Sequence, residues 1–467
     1  MELPAYGGGL NASLIHPAVL VAMILSIILI IVLPRKFIPV PLLLMIFLAP
    51  WSQNIYFAGV HLFVPRILIL VALARVVFIN PNSPKSRFAG GLNPVDTVFI
   101  LWVIFRAIAF IIVFRGEAGA IVYQGGFIWD VLGGYIVLRI LIQTEDDIVR
   151  VVKIFAVVAF VCGLAMLNEK LRDQNVFGYL GGVPIVPDVR EGAIRAQGPF
   201  AHPILAGTFG VTLVPLFFWL WYSRKARFLA ALGFIGSTLM MISCASSTPL
   251  FAYLAAFIGL AFWPLRNRMR LIRWGVALSL IALHMVMKAP VWFLIARVDL
   301  IAGNSGYHRA ELIDQCIRHF SDWWLVGTNL SGTWGFDMWD LSNQFVAEAE
   351  TGGLLTFICF VLIISRSFSR IGAARNIAEN QKDTKQEWFM WFLGIALFAH
   401  IVSYFGISYF DNVKIYWCAF LAIIAAATAP ILATQKVEVE VPQIVKRPQL
   451  RASPAYRLPT VQSRQNR

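Results

Sequence analysis

Apolar runs close to the roughly 20 residues that a helix needs to cross a bilayer recur almost from one end of this chain to the other. Thirteen can be marked, at 14–33, 37–50, 60–79, 94–113, 127–142, 151–167, 204–221, 228–243, 250–263, 274–293, 345–364, 388–405 and 415–432. The second and ninth are short enough to be re-entrant or tilted, so the expected count is twelve or thirteen. Of 467 residues, 59% are hydrophobic and 14% charged, whereas soluble domains carry about 25% charged residues. The sequence therefore predicts an all-α polytopic membrane protein, with a membrane domain over 1–434 and no room between spans for a separate soluble domain.

The net charge of +14, from 39 basic and 25 acidic residues, would suit nucleic acid if it formed one patch. It does not. With the N-terminus outside, the basic residues fall in alternate connections: Arg35 and Lys36, Lys85 and Arg87, Arg150 and Lys153, Arg224, Lys225 and Arg227, Arg266 to Arg273, and Arg366 to Lys385. That alternation is the positive-inside rule, and it removes the need for a nucleic-acid partner. The first segment lacks preceding basic residues and reads as a retained anchor rather than a cleaved signal. Residues 435–467, basic and poor in apolar side chains, read as a disordered cytoplasmic tail. Five scattered cysteines show no metal or disulfide spacing, and no cofactor is expected.

Two long connections break the charge rule. The loop 168–203 carries Lys170, Arg172, Arg190 and Arg195, and the loop 294–342 carries Arg309 and Arg318. Long loops translocate despite their charge, and basic residues on the depleted side point to an anionic ligand there. In the second loop, Leu312, Ile313, Cys316, Ile317 and Phe320 form an apolar stripe that Arg309 shares, as in a helix lying on the membrane surface. The segment DLSNQFVAEAETGGLL then brings Asn343, Glu348 and Glu350 into the first turns of a span, with Gln344 and Glu348 on one face and Asn343 and Glu350 on another. Buried carboxylates there need partners, and the arginines of the outer loops are the expected ones. Arg66, Arg106 and Arg139 lie inside spans at a cost of at least about 2.5–3.5 kcal/mol each. Asp96 and Asp130 are expected to pair with residues of this kind.

Taken together, RAQGPFAHPILAGTFG, then GYHRAELIDQCIRHF followed by WWLVGT, then DLSNQFVAEAETGGLLTFI resemble the O-antigen ligase and polymerase family over roughly residues 127–364. The resemblance implies a C-type glycosyltransferase fold at the outer face of the bacterial inner membrane. It also implies a polyprenyl-pyrophosphate-linked glycan as donor, a glycan acceptor, and polysaccharide assembly and export proteins as partners. By that similarity Arg195 and Arg309 hold the pyrophosphate, with Arg190 and Arg318 as further loop cations, and His308, Asn343 and Asp340 position the acceptor. Many members have His-Asn where this chain has Ser342-Asn343, which leaves His202, His308, Glu348 and Glu350 as candidate bases. That departure favours a polymerase of exopolysaccharide or O-antigen repeats over a ligase. The rivals are a transporter or flippase of lipid-linked glycans and a scaffold for an export complex. No metal is required, since a lipid-linked donor needs neither a DxD motif nor a phosphate loop.

Overall fold

A helix can begin only where its first backbone N–H groups find acceptors, and short polar side chains provide them at several starts here. The computed structural model describes residues 12–78, 88–297 and 305–440. It begins with α1 (Pro17–Val32) and α2 (Pro39–Leu48), then a hairpin of β1 (Asn54–Phe57) and β2 (Val60–Phe63). Next come α3 (Val64–Phe78), α4 (Pro94–Val113), α5 (Ala118–Ile128), α6 (Gly134–Leu141) and α7 (Glu145–Arg172). A second hairpin, β3 (Asp188–Arg190) with β4 (Ala193–Arg195), precedes α8 (Pro203–Tyr222), α9 (Arg227–Ser243), α10 (Ser247–Ala261) and α11 (Met269–Val286). The long loop holds α12 (Leu294–Arg297), α13 (Ser305–Arg318) and α14 (Phe320–Trp323), and the chain closes with α15 (Gln344–Asn380), α16 (Thr384–Tyr404) and α17 (Val413–Glu440).

Reciprocal capping boxes start α4, where Asn93 pairs with Asp96, and α7, where Thr144 pairs with Asp147. Each expected segment falls on a helix. Among the described residues, eight helical stretches are long and apolar enough to cross a membrane, namely α4, α5 through α6, α7, α8, the stretch ending in α11, α15, α16 and α17. The other expected spans are shorter helices: α1, α2, α3, α9 and α10 have 16, 10, 15, 17 and 15 residues. The protein is thus an all-α, multi-pass membrane protein. Helix α17 continues to Glu440, past the boundary expected at 434. The rest of the expected tail and the loop cations Lys85 and Arg87 lie outside the described residues.

Small residues set the closest packing. A Cβ added to Gly163 of α7 would lie 2.5 Å from the Gly236 carbonyl of α9, and one on Gly236 would lie 2.4 Å from the Ala159 carbonyl. Backbones meet there as small-residue seams allow in membranes. The two ends of the bundle differ in chemistry. At one, Trp51 N–H donates to the Pro199 carbonyl and the Gln53 amide to Leu180, tying the first hairpin to the loop before α8. At the other, cations predominate: Arg35 donates twice to the Ile140 carbonyl closing α6, Lys225 pairs with Glu145, and Arg266 with Glu387.

Two of the charges inside spans are paired with aspartates. Arg139 meets Asp96 at 2.8 Å and Arg66 meets Asp130 at 2.9 Å, as expected. Asp130 sits in a π-helical turn, Trp129–Gly133, between α5 and α6. The expectation that the outer-loop arginines would neutralise Glu348 is corrected: its partner is Arg106, inside α4.

Helix α15 is broken. Gly353 has φ 72° and ψ −172°, a conformation essentially reserved for glycine. The break frees the Glu350 carbonyl and the Leu354 N–H, and the long loop takes both: Thr328 N–H donates to Glu350 at 2.8 Å, and Leu354 N–H donates to Trp324 at 2.9 Å. Gly327, at φ 88°, turns the loop at a point where a Cβ would lie 2.2 Å from the Glu350 carbonyl. Gly353→Ala and Gly327→Ala are each expected to cost about 1–3 kcal/mol of backbone strain and to undock the loop. Limited proteolysis between 324 and 343 checks this: cleavage is faster in both variants, and unchanged cleavage contradicts the docking.

Candidate functional site

The polar side chains of the two long loops meet at the bundle end where α8, α15 and α17 begin. The first contributor is the hairpin of β3 and β4, closed by a two-residue turn at Glu191 and Gly192 with φ 51° and 76°. Both positive values belong to the turn type that matches strand twist. The register puts Asp188 opposite Arg195, and the two form an ion pair at 3.0 Å, with Arg195 almost wholly buried and Asp188 half-exposed. Arg190 lies exposed beside the turn.

Residues 196–201 are held nearly atom by atom. Glu169, fully buried at the end of α7, accepts the N–H groups of Gln197 and Gly198 at 3.1 and 2.9 Å. Ala196 N–H donates to Ser243, the Asn175 amide to the Gly198 carbonyl, and Ala201 N–H to the Asp411 carboxylate at 2.7 Å. This scaffold fixes where Arg195 leaves the backbone and where His202 starts α8. His202 caps that helix, its Nδ1 accepting the Ile204 N–H at 3.2 Å. The neutral ring therefore carries its proton on Nε2 and has no lone pair left for a base. Burial, reinforced by the Arg195 charge, pushes its pKa down to about 4, so it is uncharged at neutral pH. Burial pushes Asp411 up to about 7, against the two N–H groups it accepts.

The second contributor is α13, whose Leu312 and Cys316 pack against Val346 and Ala349 of α15 together with Trp323 and Trp334. Arg309 is buried on that stripe, as the periodicity predicts. His308 Nε2 donates to the Asp340 carbonyl at 3.2 Å, and the Asp340 carboxylate lies in the field of His308, Arg309 and Arg190. The hairpin and the long loop therefore converge at Asp340. Arg318 does not join them. It is largely exposed and pairs with Asp314 one turn earlier on α13. Asn343 caps α15, its Oδ1 accepting from Phe345 and Val346, while its buried Nδ2 has no hydrogen-bond partner among the described residues.

Below Asn343, the acids of α15 part company. Residues two apart on a helix do not face each other, and Glu348 and Glu350 do not form a pair. Glu348, fully buried, accepts from Trp102 at 2.8 Å, Arg106 at 3.1 Å and Gln344 at 2.6 Å. Gln344 in turn accepts the Tyr409 N–H, which links this inner cluster to the loop carrying Asp411. Glu350 faces the long loop, where Ser331 and Thr351 hydroxyls donate to it at 3.2 and 3.3 Å. Among the described residues no lysine or arginine pairs with it.

Glu169, Asp411 and Arg106 as the partner of Glu348 were not singled out from the sequence. A lone carboxylate in a short apolar connection, as at Asp411, is the signal that would have found one of them. No family model matches the chain, and no curated protein matches it in sequence. Glu169→Ala leaves two backbone donors without their acceptor, which is expected to cost about 2–4 kcal/mol locally, and Glu169→Gln retains one of the two bonds. Hydrogen exchange over residues 196–201 checks this: exchange accelerates strongly in the alanine variant and less in the glutamine variant. Equal protection in all three proteins contradicts the assigned role.

Proposed function

We propose that this protein is a glycosyltransferase of the outer face of the bacterial inner membrane that polymerises polyprenyl-pyrophosphate-linked oligosaccharide repeats in exopolysaccharide or O-antigen synthesis. The observation that carries this reading is the approach of Arg190 and Arg309, from two separate loops, to Asp340 just before α15, with Arg195 on the same hairpin as Arg190. Positioned guanidinium forks match phosphate oxygens and stabilise the charge a pyrophosphate carries as it leaves. Among the described residues, the ion-pair partner of Arg195 is the half-exposed carboxylate of Asp188, one that a phosphate can displace. Phe336 and Trp339, among the most exposed aromatics of the long loop, suit an interface with lipid headgroups.

The acceptor hydroxyl gives up a proton as it attacks. His202 is committed as a cap and Glu348 is neutralised by Arg106, so Glu350, with which no lysine or arginine pairs among the described residues, is the carboxylate of choice, and Asp411 is its rival. The break in α15 would also suit a transporter. In a transporter the freed backbone groups serve the ligand, whereas here the loop backbone occupies them, which favours the transferase.

With a polyprenyl-diphosphate oligosaccharide donor in proteoliposomes, Arg195→Ala and Arg309→Ala are expected to lower polymer formation by about 100-fold or more. Arg309→Lys recovers little, because a point charge does not replace a fork. Glu350→Gln lowers turnover by about 100-fold with donor affinity retained, while His202→Asn, which preserves a cap, stays active. Wild-type rates in both arginine-to-alanine variants would sink the reading. An active Glu350→Gln beside a dead Asp411→Asn moves the base to Asp411.

Orientation has its own test. All five native cysteines are buried, so single reporters are clean. A cysteine replacing Phe336 labels with an impermeant thiol reagent in intact cells, and one replacing Lys382 labels only after lysis. The reverse pattern inverts the topology and removes the outer-face assignment.

A further inference from the structure

Among the buried polar groups of the bundle, one set is made almost entirely of donors. Where α4, α5, α15, α16 and α17 meet, a cavity of about 20 Å³ is lined by Arg106, Phe127, Glu348, Tyr404, Lys414 and Trp417, among others. Such a volume holds a water or one small ion and is far too small for a diphosphate. The Arg106 guanidinium and the Lys414 ammonium both lie over the Phe127 ring, at 4.5 and 5.4 Å from its centre. The Lys414 ammonium makes no hydrogen bond or ion pair among the described residues. On the cavity wall Arg106 and Lys414 face Glu348, two cations against one carboxylate, and that carboxylate is already paired with Arg106.

The hydrogen-bond ledger has the same sign. Arg106 Nε, Tyr404 Oη and Trp417 Nε1 are buried without a partner among the described residues, and Tyr404 and Trp417 are 0% and 4% exposed. The acceptors on the wall are used: Glu348 Oε1 takes Gln344 and Arg106, and Oε2 takes Trp102 and Arg106. Buried donors left unmade are costly and call for an occupant. A cation is excluded by the surplus positive charge. A water would satisfy one or two donors but leave that charge unmatched.

We propose that this cavity is a binding site for a single small anionic centre, of the size of chloride or of one terminal oxygen of a phosphate group. The site lies among the helices, behind Gln344 and Tyr409, and is distinct from the loop arginines. The inference does not rest on the transferase reading. An anion there completes the coordination of Lys414 at the start of α17 and of Arg106 in α4, and so clamps two helices that the apolar contacts alone hold less specifically.

The test uses the full-length purified protein in detergent, with thermal unfolding followed in sodium gluconate, chloride or phosphate at matched ionic strength and pH. Chloride, phosphate or both are expected to raise the midpoint by about 2 °C over gluconate. The rise is lost in Lys414→Gln, which removes the surplus charge, and reduced in Trp417→Phe, which removes one donor and keeps the ring. A response to chloride alone identifies a free halide site. A response to phosphate, reproduced by polyprenyl phosphate in mixed micelles, identifies a lipid headgroup. No anion dependence in the wild-type protein overturns the proposal without recourse to any variant, and an equal rise in wild type and both variants overturns it as well.

Discussion

Inside a bilayer no water is at hand to complete a backbone hydrogen bond, so every N–H and C=O there must be answered by the protein itself. The structure depends on that constraint most sharply where α15 breaks at Gly353. An interrupted helix would leave unpaired groups at membrane depth, each costing several kcal/mol. The loop segment from Trp324 to Thr328 removes the penalty by joining its own backbone to the gap. Two glycines make the approach possible, one on each partner. At about 1.5 Å per residue, the 37 residues of α15 exceed a hydrocarbon core of about 30 Å, so the broken first turns also have length to spare at one end.

The same economy governs the charges. Arg139 with Asp96, Arg66 with Asp130 and Arg106 with Glu348 each set a cation and a carboxylate from different helices against one another. Breaking such a pair strands a buried charge, which costs more than the pair itself contributes. These contacts therefore specify which helices neighbour which, more than they add net stability. At the other end of the bundle Arg35 meets a carbonyl, Lys225 meets the exposed Glu145, where an ion pair counts for little, and Arg266 meets the buried Glu387.

Much of this was legible from the residues alone. Hydropathy located the helices, because burial in lipid acts on every residue of a span and its signal adds up. The need for partners foretold the pairing of Arg66 and Arg139 with aspartates. The period of Leu312 and Cys316 put Arg309 on the buried stripe of α13. What stayed hidden depends on contacts between distant parts of the chain. Glu169 and Gly198 are 29 residues apart and Glu348 and Arg106 are 242 apart, and no local pattern announces either. Gly353 looked like an ordinary small residue in a span, since Gly352 and Gly353 are both tolerated in membrane helices and only the docked loop reveals why one of them is left-handed. His202, a candidate base in the sequence, is followed by Pro203 as a helix start would be, and the Ile204 N–H donated to its ring shows the cap.

The docking of Trp324 and Thr328 onto α15 has a consequence for how this region can change over time. A surface loop usually drifts freely, gaining and losing residues without cost to the body beneath it. This one supplies part of a span's backbone, so an insertion or deletion between Trp324 and Thr328 is felt as damage to the span. Loop and half-helix form a single heritable part, exchangeable between related chains together or not at all.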